Sequence, residues 1–208
     1  MKITPPAFVV TPSATAPAES SSRGRRVRLS ADDWAQAALD QIAEAGIASV
    51  AVESMARKLG VTKGSFYWHF PSRDALIAAA LHRWEQLEMD AIWKHLEDIA
   101  DPSKRLREMI HIIAHEYKSH KVFIELVKAF DHPIVMPVIE RMSARRLDYL
   151  TRSYEQSGLE ATEARHRANL IYSAYVGFIQ LNANLKHMRM DRDQYNAFVE
   201  HIVETMAP

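Results

Sequence analysis

From Ser30 onward, apolar residues recur three and four positions apart, the period of helices that bury one face. Trp34, Ala38, Ile42 and Ala45 mark a first helix. Ser30 stands where a side-chain oxygen can cap it, Asp32 and Asp33 lie in the first turn where the helix dipole favours acids, and Gly46 closes it. The pattern predicts a second, short helix near Glu53–Leu59 that stops at Gly60. A third starts at Thr62, another capping residue, and ends near Phe70, before Pro71. Ser72 caps a long fourth helix with Asp74 in its first turn. Further helices are predicted over about 102–119, 121–130, 134–157, 160–187 and 192–206. They are separated at Asp101-Pro102, His132-Pro133, Ser157-Gly158 and the polar run Arg189–Asp193. Only Ile47–Val52 leans toward β structure, and it is too isolated to pair. The predicted class is all-α, without internal repeats.

Two short helices about a glycine turn, followed by a helix boundary, make a helix-turn-helix. Here the parts are Glu53–Leu59, Gly60-Val61 and Thr62–Phe70. Met55, Ala56 and Leu59 can pack inward, and Val61 and Phe66 fill the gap between the helices. Gly60 supplies a turn conformation that a residue with Cβ resists. The outward face of the third helix gathers Thr62, Lys63, Ser65, Tyr67, Trp68 and His69. So much exposed aromatic surface is costly on a face that binds nothing. A helix in the major groove reads base edges mainly from its N-terminal residues, where Thr62, Lys63 and Ser65 stand. Gly64 leaves room for a DNA backbone, and the hydroxyls and amine can donate to phosphates or base acceptors.

Charge adds a polarity to this picture. The 208 residues carry no formal net charge, yet Arg23 to Arg73 hold eight Lys or Arg against five Asp or Glu. From Asp74 onward the count is 17 against 20, so only the front of the chain suits a polyanion. Arg23, Arg25, Arg26 and Arg28 form a basic arm before the first helix, able to track phosphates or enter a minor groove. Residues 1–22, rich in Pro, Ala, Ser and Thr, read as a disordered tail. The apolar stretch there, Ala7 to Val10, is too short for the roughly 7–15 residues of a signal-peptide core, and no run approaches the roughly 18 of a membrane span. With no Cys, disulfides and thiolate chemistry are excluded. A cytoplasmic location without membrane contact is expected.

The residues of this region resemble a known family. Gly46, Ser54-Met55-Ala56 and the run Leu59-Gly60-Val61-Thr62-Lys63-Gly64-Ser65-Phe66-Tyr67-Trp68-His69-Phe70-Pro71-Ser72-Arg73-Asp74-Ala75-Leu76 look like the TetR family signature. The resemblance covers about residues 28–77, and its Tyr-x-His-Phe core with a basic residue three beyond the Phe is highly specific. It implies about nine helices, a homodimer, and a grip on a palindromic double-stranded operator that a small molecule releases. It further implies that Thr62, Lys63, Ser65 and Trp68 meet bases or nearby phosphates, Tyr67 and His69 the DNA backbone, and Arg73 a phosphate. One departure stands out: Ala51-Val52 occupies the start of the second helix, where the family usually has Ser or Thr. The expected organisation is a tail over 1–22, a DNA-binding domain over 23–76 and a ligand-binding and dimerisation domain over 77–208.

In the body, the segment Thr162–His187 is apolar almost all round, so it must be buried on two sides. A partner copy supplies the second side. The expected dimer interface comprises Ser173, Tyr175, Gly177, Phe178, Phe198 and Ile202. Trp84, Trp93, Met109, Phe123, Phe130, Met142 and Tyr172 are candidate lining for an apolar or aromatic effector, since Met and aromatic groups suit such sites. Catalysis is not expected, nor a cofactor. His115 and His120 are five apart, so they miss the shared helix face that a zinc-protease motif needs. His111 and His115 do share a face, which leaves a metal-responsive regulator as an alternative, although no metal site is assigned. No Gly-x-Ser-x-Gly occurs. A nucleoid-type DNA-binding protein without an effector is the remaining alternative.

Overall fold

The computed structural model of the chain describes residues 29–96 and 98–207, without the side chains of 89–94, 117 and 118. The expected disordered tail, the basic arm and Arg28 lie outside the described residues. Among the described residues there are nine α-helices and no strand.

Helix α1 spans Ala31–Ala45. Ser30 Oγ accepts from the Asp33 amide and the Asp33 carboxylate accepts from the Ser30 amide, a reciprocal box that satisfies two otherwise orphaned donors. After Gly46 the stretch expected to lean toward β forms a 3-10 turn, Ile47–Ser49, then an extended link to α2 (Val52–Lys58). No strand forms because there is nothing for the segment to pair with. Gly60 adopts φ 69° and turns the chain into α3 (Lys63–Tyr67). This helix is shorter than the predicted Thr62–Phe70. The His69 amide bonds back three residues to Phe66, which tightens the chain out of the α-helix before Pro71. Ser72 Oγ accepts from the Ala75 amide at 3.1 Å, and α4 runs from Arg73 to Leu96.

The body follows as α5 (Pro102–His115), α6 (Tyr117–Val127), α7 (Val135–Gln156), α8 (Ala161–Asn184) and α9 (Arg192–Met206). The break between α5 and α6 falls at Glu116, earlier than the pattern predicted, because neither Gly nor Pro marks it. Helix α8 ends at Asn184 and a separate 3-10 turn follows at Lys186–Met188.

Two apolar cores hold these helices. In the first, Trp34 and Ile42 of α1 meet Phe66 of α3, Leu76, Leu81 and Trp84 of α4, and Phe123 and Leu126 of α6. Packing is therefore continuous from the short helices through α4 into the body. The second core joins Leu106 and Ile110 of α5, Leu150 and Tyr154 of α7, Ala168 and Ile171 of α8 and Val203 of α9. The Tyr154 hydroxyl donates to the Met206 carbonyl at 2.8 Å and ties down the end of α9. No helix of the described residues is long and apolar enough to cross a membrane.

Candidate nucleic-acid interface and ligand cavity

Phe66 seats α3. It is wholly buried, meets Trp34 edge-on with ring centroids 5.4 Å apart, and stacks on Phe70 at 5.8 Å. With that ring inward, the neighbouring side chains turn out. Tyr67 is 56% exposed and Trp68, just past the helix end, is 89% exposed. Thr62, Lys63 and Gly64 are exposed, and Ser65 and His69 are half-buried. The Thr62 side chain makes no capping bond, so its hydroxyl is left for another partner. A Cβ on Gly64 would make ordinary contact with Thr62 Oγ1 at 3.7 Å. Lys63 Nζ lies 2.7 Å from Glu53 Oε1, both side chains largely in solvent. Ala51 is the N-cap of α2 and makes no side-chain cap, so the departure noted in the sequence persists in space.

Arg73 has a structural task. Its Nε donates to the Val50 carbonyl at 2.6 Å and its Nη2 to the Ile47 carbonyl at 2.7 Å. These bonds fasten the start of α4 to the 3-10 turn that precedes the helix pair, so Arg73 sets where α3 sits relative to α4.

In the body, a cavity of about 400 Å³ opens among α5, α7, α8 and α9, with Glu88 contributed by α4. Met109, Met142 and Tyr172 line it as the sequence suggested. Trp84 and Phe123 are instead stacked on each other, 6.3 Å apart, inside the first core. Phe130 is 41% exposed in the α6–α7 link, and the side chain of Trp93 lies outside the described residues. Four residues expected at a dimer seam, Tyr175, Phe178, Phe198 and Ile202, line the cavity. They do so because that side of α8 faces α9, with Phe178 and Phe198 only 4.6 Å apart. Ser173 is exposed, and a Cβ on Gly177 would meet nothing within 4 Å.

The cavity also holds charges that the sequence reading missed. Glu88 and Arg146 both line it and are ion-paired to each other. Ser119 Oγ donates to Glu88 and accepts from Trp84 Nε1 at 3.0 Å. Burial penalises the Arg146 charge, yet Glu88, Tyr175 and Tyr172 together outweigh it, so the guanidinium stays protonated. It also stands over the Phe123 ring, 4.9 Å from its centroid. Beside this pair, Glu85 receives Arg141 at 3.0 Å and Arg145 at 2.8 Å, and the hydrogen bond from Arg141 chiefly holds its carboxyl below the usual range. The missed signal was present in the sequence. Glu88 follows Ile77, Leu81 and Trp84 on one stripe of α4, and Arg146 interrupts Val138, Met142 and Leu150 on α7.

His111 and His115 do not converge. His115 Nδ1 bonds to the carbonyl of His111 at 2.7 Å, and the His111 ring faces Glu200 at 3.8 Å. Among the described residues no group of three or more potential metal ligands comes together.

A tight glycine turn between two short helices, an outward polar-aromatic face and an all-helical body with an internal cavity define a helix-turn-helix protein with a cavity-bearing helical body. Residues 36–80 match the family described as bacterial regulatory proteins, tetR family. Over this segment the chain is similar to that family. It is 31% identical over 87 residues to the uncharacterized HTH-type transcriptional regulator YerO of Bacillus subtilis. That match covers 41% of this chain and only 30% of YerO. The fold of the whole is similar to that of a TetR-family regulator from Agrobacterium tumefaciens, with TM-score 0.70, 21% identity, and 86% and 97% of the two chains covered. It is also similar to AibR in a complex with isovaleryl coenzyme A and operator DNA, with TM-score 0.65, 15% identity, and 86% and 98% coverage.

Proposed function

We propose that this chain is a ligand-responsive transcriptional regulator, a homodimeric repressor that leaves a palindromic operator when a small molecule with an apolar or aromatic body fills the cavity. The observation that carries this reading is the path of α4. Arg73 anchors its start beside α3, and Glu88 reaches the cavity about 22 Å further on, at about 1.5 Å per residue. The chain of contacts Trp84–Ser119–Glu88–Arg146 links that helix to the cavity wall. A ligand can shift operator affinity only through its different affinity for the two states, and a tilt of α4 would change the spacing of the two reading helices. AibR, of similar fold, was solved holding both an acyl coenzyme A and operator DNA, which supports the reading.

In this scheme Thr62, Lys63, Ser65, Tyr67, Trp68 and His69 face the DNA. The Lys63–Glu53 pair is exposed and hence weak, so Lys63 can exchange the carboxylate for a phosphate. Gel-shift titration should show steeply salt-dependent binding to a palindromic site. Lys63→Ala and Tyr67→Phe should each weaken it by about 1–3 kcal/mol. Unchanged affinity in both variants would remove α3 as the reading element.

The dimer is proposed to form on the outer face of α8. Ser173, Gly177 and Leu181 recur at helical spacing there, with Ser173 exposed and Leu181 45% exposed. The small residues among them allow close helix approach. Leu181→Glu adds a charge to a surface that is exposed in one protomer, so it should yield folded monomers by light scattering with unchanged helical content. A persisting dimer would place the seam elsewhere.

A further inference from the structure

The cavity wall is apolar over most of its extent, yet its charged groups do not cancel. Three guanidiniums, Arg141, Arg145 and Arg146, share two carboxylates, Glu85 and Glu88. Of these five, Glu88, Arg145 and Arg146 line the cavity, leaving one positive charge in excess at its wall. His120 lies next to this cluster, but burial lowers its pKa and favours the neutral ring, so it adds no charge. Arg146 has 13% of its side chain exposed, and its Nη1, which is buried, has no hydrogen-bond partner among the described residues. A buried donor without an acceptor is costly, and one on a charged group costs most. Tyr172 and Tyr175 flank the same wall, the Tyr172 hydroxyl engaged with Ser143 at 2.8 Å.

We propose that the cavity takes an amphipathic monoanion, an apolar chain or ring bearing a single carboxylate, with the carboxylate set against Arg146 and Arg145 and the apolar body among Met109, Met142, Phe178 and Phe198. The volume of about 400 Å³ is in the range of small-molecule sites, roughly 300–1,000 Å³. The carboxylate cancels the excess charge and supplies the acceptor that Arg146 Nη1 lacks. This inference rests on the ligand-responsive reading above and narrows the class of ligand.

Calorimetric titration of the full chain at neutral pH tests it. The probes are hexanoate, decanoate, tetradecanoate, decan-1-ol and decyltrimethylammonium, each kept below its micelle concentration. At least one acid should bind saturably and about ten- to a hundredfold more tightly than the alcohol, the value of a charge-assisted hydrogen bond, and the cation no more tightly than the alcohol. In the Glu88→Gln/Arg146→Met double variant, which leaves neither charge buried alone, the acid-to-alcohol ratio should fall about tenfold. If that variant does not fold, the probe series on the unaltered chain decides the matter. Absence of acid binding, an alcohol or cation that matches the acids, or an unchanged ratio in the folded double variant would overturn the proposal. No DNA enters the titration, so acid binding by a chain that ignores palindromic duplexes would keep this inference and remove the operator reading.

Discussion

Replacing Phe66 by Ala should lower the free energy of unfolding by about 3–5 kcal/mol, the range for emptying a fully buried aromatic site. Phe66 is the only residue of α3 that is buried, and its ring touches three others: Trp34, Tyr67 and Phe70. Aromatic pairs of this geometry add about 0.5–1.5 kcal/mol each beyond area burial. A five-residue helix has no stability of its own, since isolated helices below about 12–15 residues are marginal even at good propensity. Losing the ring should therefore cost α3 its seat, and operator affinity should drop even under conditions where the body remains helical. Urea denaturation followed by circular dichroism measures the first effect and gel shift the second. Trp68→Ala is the control: with 89% of the residue exposed, it should change stability by no more than about 0.5 kcal/mol. A Phe66→Ala loss below about 1 kcal/mol would show that the ring does not anchor the helix pair.

The second large effect concerns the pair inside the body. Arg146→Met leaves Glu88 buried with Ser119 as its one remaining partner among the described residues, and breaking a buried pair in this way costs about 3–5 kcal/mol. Glu88→Gln/Arg146→Met removes both charges and should recover most of that loss, because a buried pair contributes little relative to well-packed neutral groups. The double-mutant cycle isolates the coupling, read as urea midpoints for the four proteins. Equal midpoints for the single and double variants would mean that Glu88 is not held as a charge by Arg146.

These two sites differ in how much of them could be read before the fold was known. The helix pair was legible because its determinants are local. Gly60 needs positive φ, Ser30 and Ser72 cap the next helices through bonds three residues away, and Phe66 alternates with outward groups within two turns. Boundaries were less legible where no local residue marks them. Glu116 breaks α5 from α6 without Gly or Pro, and α3 stops at Tyr67 through a backbone bond rather than through any side chain.

The body was legible as helices but not as a site. Helix α8 is apolar on nearly every side, so periodicity alone could not say which stripe meets the chain's own cavity and which is left outward. Only packing against α7 and across to α9 turned Tyr175 and Phe178 inward, set Leu170 at the cavity wall and left Gly177 and Leu181 outside. Arg73 shows the same limit. The family resemblance implied a phosphate contact for it, but its bonds to Val50 and Ile47, which depend on segments 23 and 26 residues away, could not be read from the motif. Glu88 and Arg146 stand on apolar stripes of different helices, 58 residues apart, and each alone reads as a charge out of place. Local chemistry determined the element order, the helix-turn-helix and its outward face, because turns, caps and periodicity act within a few residues. The tertiary structure decided the cavity, its excess positive charge and the outer face of α8, because a buried charge becomes tolerable only when a distant segment brings it a partner.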